Sequence, residues 1–492
     1  MKILLVNPKT PETFWSFSSS LKFVSKKSSE IPLGLLTVAA MLPVEWNLRF
    51  IDENVSQLKD KDILWSDYVF STAMSVHRQS LNRLIDKCKL LDRKIVTGGP
   101  LVTTEPENFS NVDHLILNES ETTLPLFLAD LKAGHAKRIY STDIFPGIAS
   151  APVPRWDLLE MNKYATINIQ YSRGCPNDCE FCSVTMLNGR RCRTKSKEQF
   201  IAELNRLYEL KWRGHVFIVD DNFIGNKYKL KQELLPSLIE WSEEKKYPFK
   251  FTTEASIDLA DDEILMDMMI NAGFYSVFVG IETPNNNSLS ECNKLQNLGR
   301  DISDSVKIMQ NKGFVVSAGF IVGFDNDTTS IFDEQINLIQ KSGIVTAMVG
   351  MLNAPIGTKL YNRLIKENRI VNQFNGDNVD GTTNFTPTMG LQPLKTGYNK
   401  ILSSIYSQKQ YYKRIKTFLN NYSVPKKVIQ RISFSEFKAL FKSFWYLGIR
   451  LKGRKFYWNL LFESLFRYPR KLPLAITLAI YGVHFRKIIQ NL

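Results

Sequence analysis

Cysteine is scarce in this chain, with six residues in 492. Few, clustered cysteines exclude a disulfide framework and point to a reducing compartment. Long apolar runs are missing too. The longest near the end, Leu472 to Val483, is about twelve residues, against the roughly twenty a membrane span needs. The start, Met-Lys-Ile-Leu-Leu-Val-Asn-Pro, has too short an apolar stretch for a secretory signal. Low-complexity tracts are absent. Acid is almost missing from one region: residues 391–492 hold 20 Lys/Arg against 2 Asp/Glu. The first 390 residues carry 43 Lys/Arg and 47 Asp/Glu, so the net charge of +14 belongs to the C-terminal fifth. A cytoplasmic protein is expected, with a basic segment made for an anionic partner. That leaves a peripheral place on the inner face of the membrane open.

Half of the cysteines, Cys175, Cys179 and Cys182, lie in Tyr171-Ser-Arg-Gly-Cys-Pro-Asn-Asp-Cys-Glu-Phe-Cys182. So short a loop brings three thiolates to one metal centre at little entropic cost. A four-iron cubane takes four ligands, so three cysteines leave one iron open. The rival is structural zinc, which wants a fourth Cys or His. Cys192 is the candidate, within a basic run, Arg190 to Lys195.

Residues 1–143 alternate apolar runs with helical patterns. Strands are expected at 2–7, 48–52, 68–72, 94–99 and 114–118, with helices at 33–42, 78–91 and 121–131. Such alternation predicts an α/β, doubly wound (Rossmann- or flavodoxin-like) parallel sheet, with ligands held beyond the strands' carboxyl ends. Residues 144–158, with three prolines, read as a linker. From 159 to 390 six further strands, at 165–171, 216–222, 250–255, 276–284, 315–325 and 346–353, predict a partial (βα)6 TIM-like barrel. Polar residues cluster at their C-terminal ends, where a barrel places its site. Residues 391–492 read as helical, aromatic and basic. Basic amphipathic helices rich in Phe, Trp and Tyr suit a membrane surface. A helical cap with solvated lysines and a nucleic-acid surface are the alternatives.

The cysteine loop after a strand, with the later strand-end motifs in order, closely resembles the radical S-adenosylmethionine core. In that family the three cysteines hold a [4Fe-4S] cluster, and the open iron is chelated by S-adenosylmethionine. The resemblance implies cofactor contacts from Phe181, Asp220, Asn222, Glu254, Gly280, Glu282, Gly319, Gly323 and Asn353. The N-terminal loops resemble the cobalamin-binding domain found ahead of many such enzymes, on Asn7-Pro8, Pro32-Leu-Gly-Leu, Ile51-Asp-Glu-Asn, Gly98-Gly99-Pro100 and Glu119-Ser-Glu121. It implies a corrin contacted by Asn7, Pro8, Asp52, Ser75, His77, Gly98, Gly99, Glu119 and Glu121. The DxHxxG pattern is absent, because Asp52 is followed by Glu53, Asn54 and Val55. Cobalt would then lack the usual lower imidazole.

Within the superfamily the chain resembles the subgroup that includes the hopanoid C-2 methylases. The cues are Ile31-Pro-Leu-Gly-Leu, Ile51-Asp-Glu-Asn, Asp220-Asp-Asn-Phe-Ile-Gly-Asn226 and Leu472-Pro-Leu-Ala-Ile. The resemblance implies methylation of an unactivated carbon of an apolar, lipid-like substrate, through a 5′-deoxyadenosyl radical and methylcobalamin. It also implies an electron donor such as flavodoxin or ferredoxin. A non-methylating radical enzyme, an RNA-modifying one and a cobalamin sensor are the rivals. The RNA methylthiotransferases carry a second three-cysteine cluster in the N-terminal domain, where this chain has only Cys88.

Overall fold

The structure is a computed structural model and describes residues 1–377, 379–425 and 434–490. Part of the basic C-terminal region, 426–433 and 491–492, thus lies outside the described residues. Two six-stranded parallel sheets organise the rest. The first contains β1 (Lys2–Asn7), β2 (Asn47–Asp52), β3 (Tyr68–Thr72), β4 (Lys94–Gly98), β5 (His114–Ile116) and β6 (Ile139–Tyr140). Their order is β2-β1-β3-β4-β5-β6, the doubly wound arrangement with its switch point between β1 and β3. Ile3, Leu4, Leu5 and Val6 are all fully buried, because helices cover both faces and each face takes alternate residues. Leu4 and Val6 join one core, Ile3 and Leu5 the other. The two-residue β6 was not expected; so short an edge carries no periodic signal.

A small antiparallel pair, β8 (Ser172–Arg173) and β9 (Arg193–Thr194), brackets the cysteine loop. The second large sheet holds β7 (Thr166–Ile169), β10 (His215–Ile218), β11 (Lys250–Glu254), β12 (Phe274–Glu282), β13 (Val315–Val322) and β14 (Ala347–Met351). Its order, β14-β13-β12-β11-β10-β7, is that of a partial barrel with β7 and β14 as free edges. Alternation sorts its residues. Ile167, Val216, Phe251, Val277, Ala318 and Val349 are sealed under the outer helices. The intervening Phe217, Thr252, Glu254, Phe278, Gly280 and Met348 are half-buried and, with the buried Gly319, line the lumen. The register confirms one inner face: Phe217 pairs with Thr252, Glu254 with Phe278, Gly280 with Gly319, and Gly319 with Met348.

The segment between β1 and the helix Leu33–Met41 bridges the open side of the barrel. At one end Ser28 pairs with Tyr164, and the Thr166 N–H donates to the Ser29 carbonyl beside β7. At the other, Trp15 donates from Nε1 to Met348 Sδ at 3.0 Å on β14 and meets the Phe278 ring. Between them the helix Ser18–Val24 packs on the C-terminal helices. The stretch 144–158 is anchored as well, with Trp156 fully buried.

The C-terminal helices are Leu391–Ile405, Gln408–Asn421, Phe434–Trp445, Arg454–Arg467 and Leu472–Gln490. The last runs nineteen residues rather than twelve. By length and composition alone, Pro469–Gln490 could cross a membrane. It is instead a core helix: Ala475, Leu478, Ala479 and Phe485 are buried, and Phe485 stacks on Phe14 at 4.4 Å.

Candidate active site

β7 delivers the chain to the cysteine loop, and two aspartates at the end of β10 fix its path. The Asp220 carboxylate accepts from the Tyr171 N–H (2.8 Å), the Ser172 N–H (2.7 Å) and Ser172 Oγ (2.5 Å). Burial pushes this carboxyl up to about 7 against the pull of those donors. Asp221 accepts from the Gly174 N–H at 2.9 Å and from Asn188 Nδ2 at 3.1 Å. Gly174 has φ +93°, and a Cβ there would fall 2.6 Å from the Arg191 carbonyl oxygen, so only glycine makes the turn into Cys175. From the far side, Arg363 clasps Glu180 at 2.7 Å and Asn293 Nδ2 donates to the Asp178 carbonyl at 3.0 Å.

Burial raises all three thiols, Cys182 to about 12. Among the described residues no three Cys, His, Asp or Glu side chains converge as they would on a single ion. Cys192 lies against Gly225, with Ser172 as its hydrogen-bond partner. Cys292 is buried and donates to the Leu289 carbonyl. The three cysteines and the groups around them thus suit a cluster with one iron exposed to the lumen.

Around that opening the strand ends divide by role. Glu254 faces the lumen and has been pushed up to about 8 by burial, with Asp221 and Glu30 adding to the effect. Glu282 sits at a bulge with φ +64°, a left-handed conformation costing roughly 1–2 kcal/mol in a non-glycine residue. It is held there by Lys294, whose Nζ donates at 2.7 Å, and by Gln335, which donates to its carbonyl at 3.2 Å. Burial works against the Lys294 charge, but Glu282 beside it more than restores it. A Cβ on Gly280 would fall 2.5 Å from Glu282 Oε1. Phe181 packs edge-on to Phe324 at 6.3 Å. Next to it, Gly323 (φ +104°) donates to Asp327 at 2.9 Å. Asn222 and Asn353 are used internally. Asn222 Oδ1 accepts from the Ser256 N–H, and Asn353 bridges the Met351 and Thr382 carbonyls. Gly319 stands beside Phe278.

The N-terminal residues gather at the same place, and many are tied to the barrel. Glu119 accepts from Arg193 Nη2 at 2.6 Å and also binds Arg173; Glu121 accepts from Arg173 Nη2 at 3.0 Å. Arg173 and Arg193 flank the cysteine loop, so these carboxylates lock the first sheet's crevice against the cluster side of the barrel. Asp52 accepts from Asn7 Nδ2 (3.0 Å), Asn54 Nδ2 (2.8 Å) and Tyr164 OH (2.9 Å). Pro8 contributes its carbonyl to Asn54. Ser75 lies under Gly376 of the loop after β14. At Gly99 φ is +94°, and a Cβ would come 2.4 Å from Thr72 Oγ1; Gly98 beside it is equally constrained by the Ile116 carbonyl. These two glycines let the chain after β4 pack closely against Thr72, Ala73 and Ile116. His77 offers no free nitrogen: Nδ1 accepts from the Met74 N–H and Nε2 bonds Thr10 Oγ1 at 3.0 Å.

Lys294, Arg173 and Glu30 were not singled out by sequence. Arg193 and Lys195 read equally as cations reaching a carboxylate or as a solvated basic turn. Nothing in the spacing marks Lys294; it meets Glu282 only because a short helix, Asn286–Glu291, folds it back. The interdomain lock gives a clear expectation. Glu119→Ala leaves two buried guanidinium groups short of charge, a loss of about 3 kcal/mol or more. Thermal unfolding should fall and iron content should drop with it; an unchanged melting curve would show that the lock carries no load.

Comparison with known proteins places this geometry. A profile described as "Radical SAM superfamily" matches residues 169–339, and one described as "Domain of unknown function (DUF4070)" matches 358–492. An uncharacterized methyltransferase of Synechocystis sp. is 38% identical over 500 residues, covering 100% of this chain and 93% of its own. The hopanoid C-2 methylase of Rhodopseudomonas palustris is 34% identical over 385 residues, covering 77% of this chain and 73% of its own. In fold, the chain resembles the cobalamin-dependent S-adenosylmethionine radical enzyme OxsB, with TM-score 0.61 at 16% identity over 100% of this chain and 80% of that one. It also resembles the radical S-adenosylmethionine methyltransferase TsrM from Kitasatospora setae, with TM-score 0.57 at 12% identity over 100% of this chain and 99% of that one. With a cysteine loop opening into a six-stranded partial barrel, and full-length relatives of this similarity, the chain belongs to the radical S-adenosylmethionine methyltransferases, in the family that includes hopanoid C-2 methylase.

Proposed function

We propose that the protein is a cobalamin-dependent radical S-adenosylmethionine methyltransferase acting on an unactivated carbon of an apolar substrate. The observation that carries this reading is the lumen above the cysteine loop. Its inner face presents Phe217, Phe278, Met348 and, from the bridging segment, Trp15. Its polar groups are Thr252, Ser317, Glu254, the Glu282–Lys294 pair, and Glu30, which accepts from Asn168 at 3.2 Å. A cavity of that kind takes an apolar body and orients it by one or two polar atoms.

The residues divide the work. Cys175, Cys179 and Cys182 would hold a [4Fe-4S] cluster, and the loops at Asn7, Asp52, Ser75, Gly98–Gly99 and Glu119 would face cobalamin. When bound, the cluster supplies the electron that cleaves S-adenosylmethionine, and cobalamin carries the methyl group. Carboxylates at Glu254 and Glu282 suit an ammonium and ribose hydroxyls. Lys294 keeps Glu282 aimed. The apolar wall excludes water, which protects a radical from quenching. The interdomain lock keeps the two cofactor sites facing each other. A small redox protein of the flavodoxin or ferredoxin class would supply the electron, and a cytoplasmic setting suits the reduced thiols.

The apolar-substrate reading is tested by comparing apolar extracts of a producing strain and its deletion strain. The deletion should lose a product one methylene heavier than its precursor and accumulate the precursor. Identical extracts would sink the apolar substrate while leaving the methyltransferase assignment intact.

A further inference from the structure

The C-terminal helices expose aromatic rings that the fold does not use. Phe437, Phe441 and Trp445, at i, i+4 and i+8 of one helix, are 51%, 57% and 63% exposed; Phe462 and Phe466 of the next long helix are 52% and 81% exposed. These are one patch. Phe437 meets Phe441 at 4.9 Å, Phe441 meets Phe444 at 6.2 Å, Phe444 stacks on Trp458 at 6.1 Å, and Trp458 stacks on Phe462 at 5.8 Å. A contiguous exposed aromatic patch on a folded chain marks a docking surface.

Charge says what docks. Residues 437–471 contain nine Lys/Arg and one acid, Glu463, and Glu463 is already paired with Lys416. The positive rim continues through Lys442, which donates to the Lys22 carbonyl and Ser25 Oγ. It runs on into a cleft of about 640 Å³ whose lining holds four lysines, Lys9, Lys22, Lys26 and Lys27, against one acid, Glu53. Rings in the middle and cations around them match an anionic bilayer, whose headgroups meet the cations while the rings enter the acyl boundary. Nucleic acid fits less well. Bases need free ring faces, whereas Phe437 and Phe441 pack edge to face against each other.

We propose that this aromatic face, with its lysine and arginine rim, seats the protein on the surface of an anionic membrane without crossing it. The surface is distinct from the apolar helix Leu472–Gln490, which is spent on the core. It does not depend on the reaction proposed above, because none of these residues lines the barrel.

Flotation of the full-length protein with vesicles tests it. Binding is expected to vesicles of phosphatidylcholine mixed with phosphatidylglycerol, and to weaken as salt is raised. The double substitution Phe441→Ser, Trp445→Ser should cut that binding about tenfold or more, with the far-ultraviolet spectrum and melting temperature unchanged. Leu90→Ser, at an exposed apolar residue of the first domain, should not. The proposal is overturned if the wild type fails to float with anionic vesicles, or if the double variant floats equally well. It is also overturned if the substitutions abolish only self-association in sedimentation or only binding to RNA.

Discussion

Cys179→Ala is expected to reduce 5′-deoxyadenosine formation under anaerobic reduction by about 10³-fold or more, a barrier increase of some 4 kcal/mol. The reasoning starts from ligand count. Three thiolates leave one iron of a cubane free for S-adenosylmethionine, and the two other cysteines near the loop are already engaged. Cys192 is engaged beside Ser172 and Gly225, and Cys292 turns toward the Leu289 carbonyl. The paired controls are Cys192→Ala and Cys292→Ala, which should retain iron and activity. Iron content and product quantification check all three; a Cys179→Ala protein that still cleaves S-adenosylmethionine would remove the loop from the chemistry.

Asp220→Ala carries the second-largest effect, and it acts without touching a cysteine. Its carboxylate is the acceptor for three donors at Tyr171 and Ser172, two residues before Gly174. Each orphaned buried donor costs about 1–3 kcal/mol, so a loss of ~3 kcal/mol or more is expected. Because those donors set the entry to the cysteine loop, reconstituted iron should fall along with the melting temperature. Asp220→Asn keeps one carbonyl acceptor and should be intermediate. Full iron loading in the stable alanine variant would show that the loop holds its shape alone.

The parts legible in sequence are those with a local period or a motif. Strand alternation gave both sheets within a few residues at most ends, because apolar runs bounded by Pro, Gly or Asp are local signals. The Cys175–Cys182 spacing is a local signal of the same kind, a loop short enough to gather three thiolates. Asp220 was recognised as a strand-end group, but its partners depend on a neighbouring strand. Glu119 and Glu121 stood out in the first domain; their pairing with Arg173 and Arg193 spans more than fifty residues and has no sequence signature. The bridging segment was passed over between two predicted elements, since Trp15 and Glu30 acquire meaning only when β7 and β14 are left as open edges. The apolar run at 472–483 reads only as too short for a membrane span; its pattern cannot distinguish a core helix from a surface one without knowing that Phe14 stacks on Phe485.

The central claim is that two cofactor sites cooperate in one methyl transfer, and product stoichiometry measures it. Reconstituted anaerobically with cobalamin and supplied with S-adenosylmethionine, reductant and an apolar extract from the deletion strain, the protein should form S-adenosylhomocysteine and 5′-deoxyadenosine in equal amounts. Omitting cobalamin should suppress S-adenosylhomocysteine. Deoxyadenosine formed alone, whatever the cobalamin loading, would contradict the account and identify a radical enzyme that does not methylate.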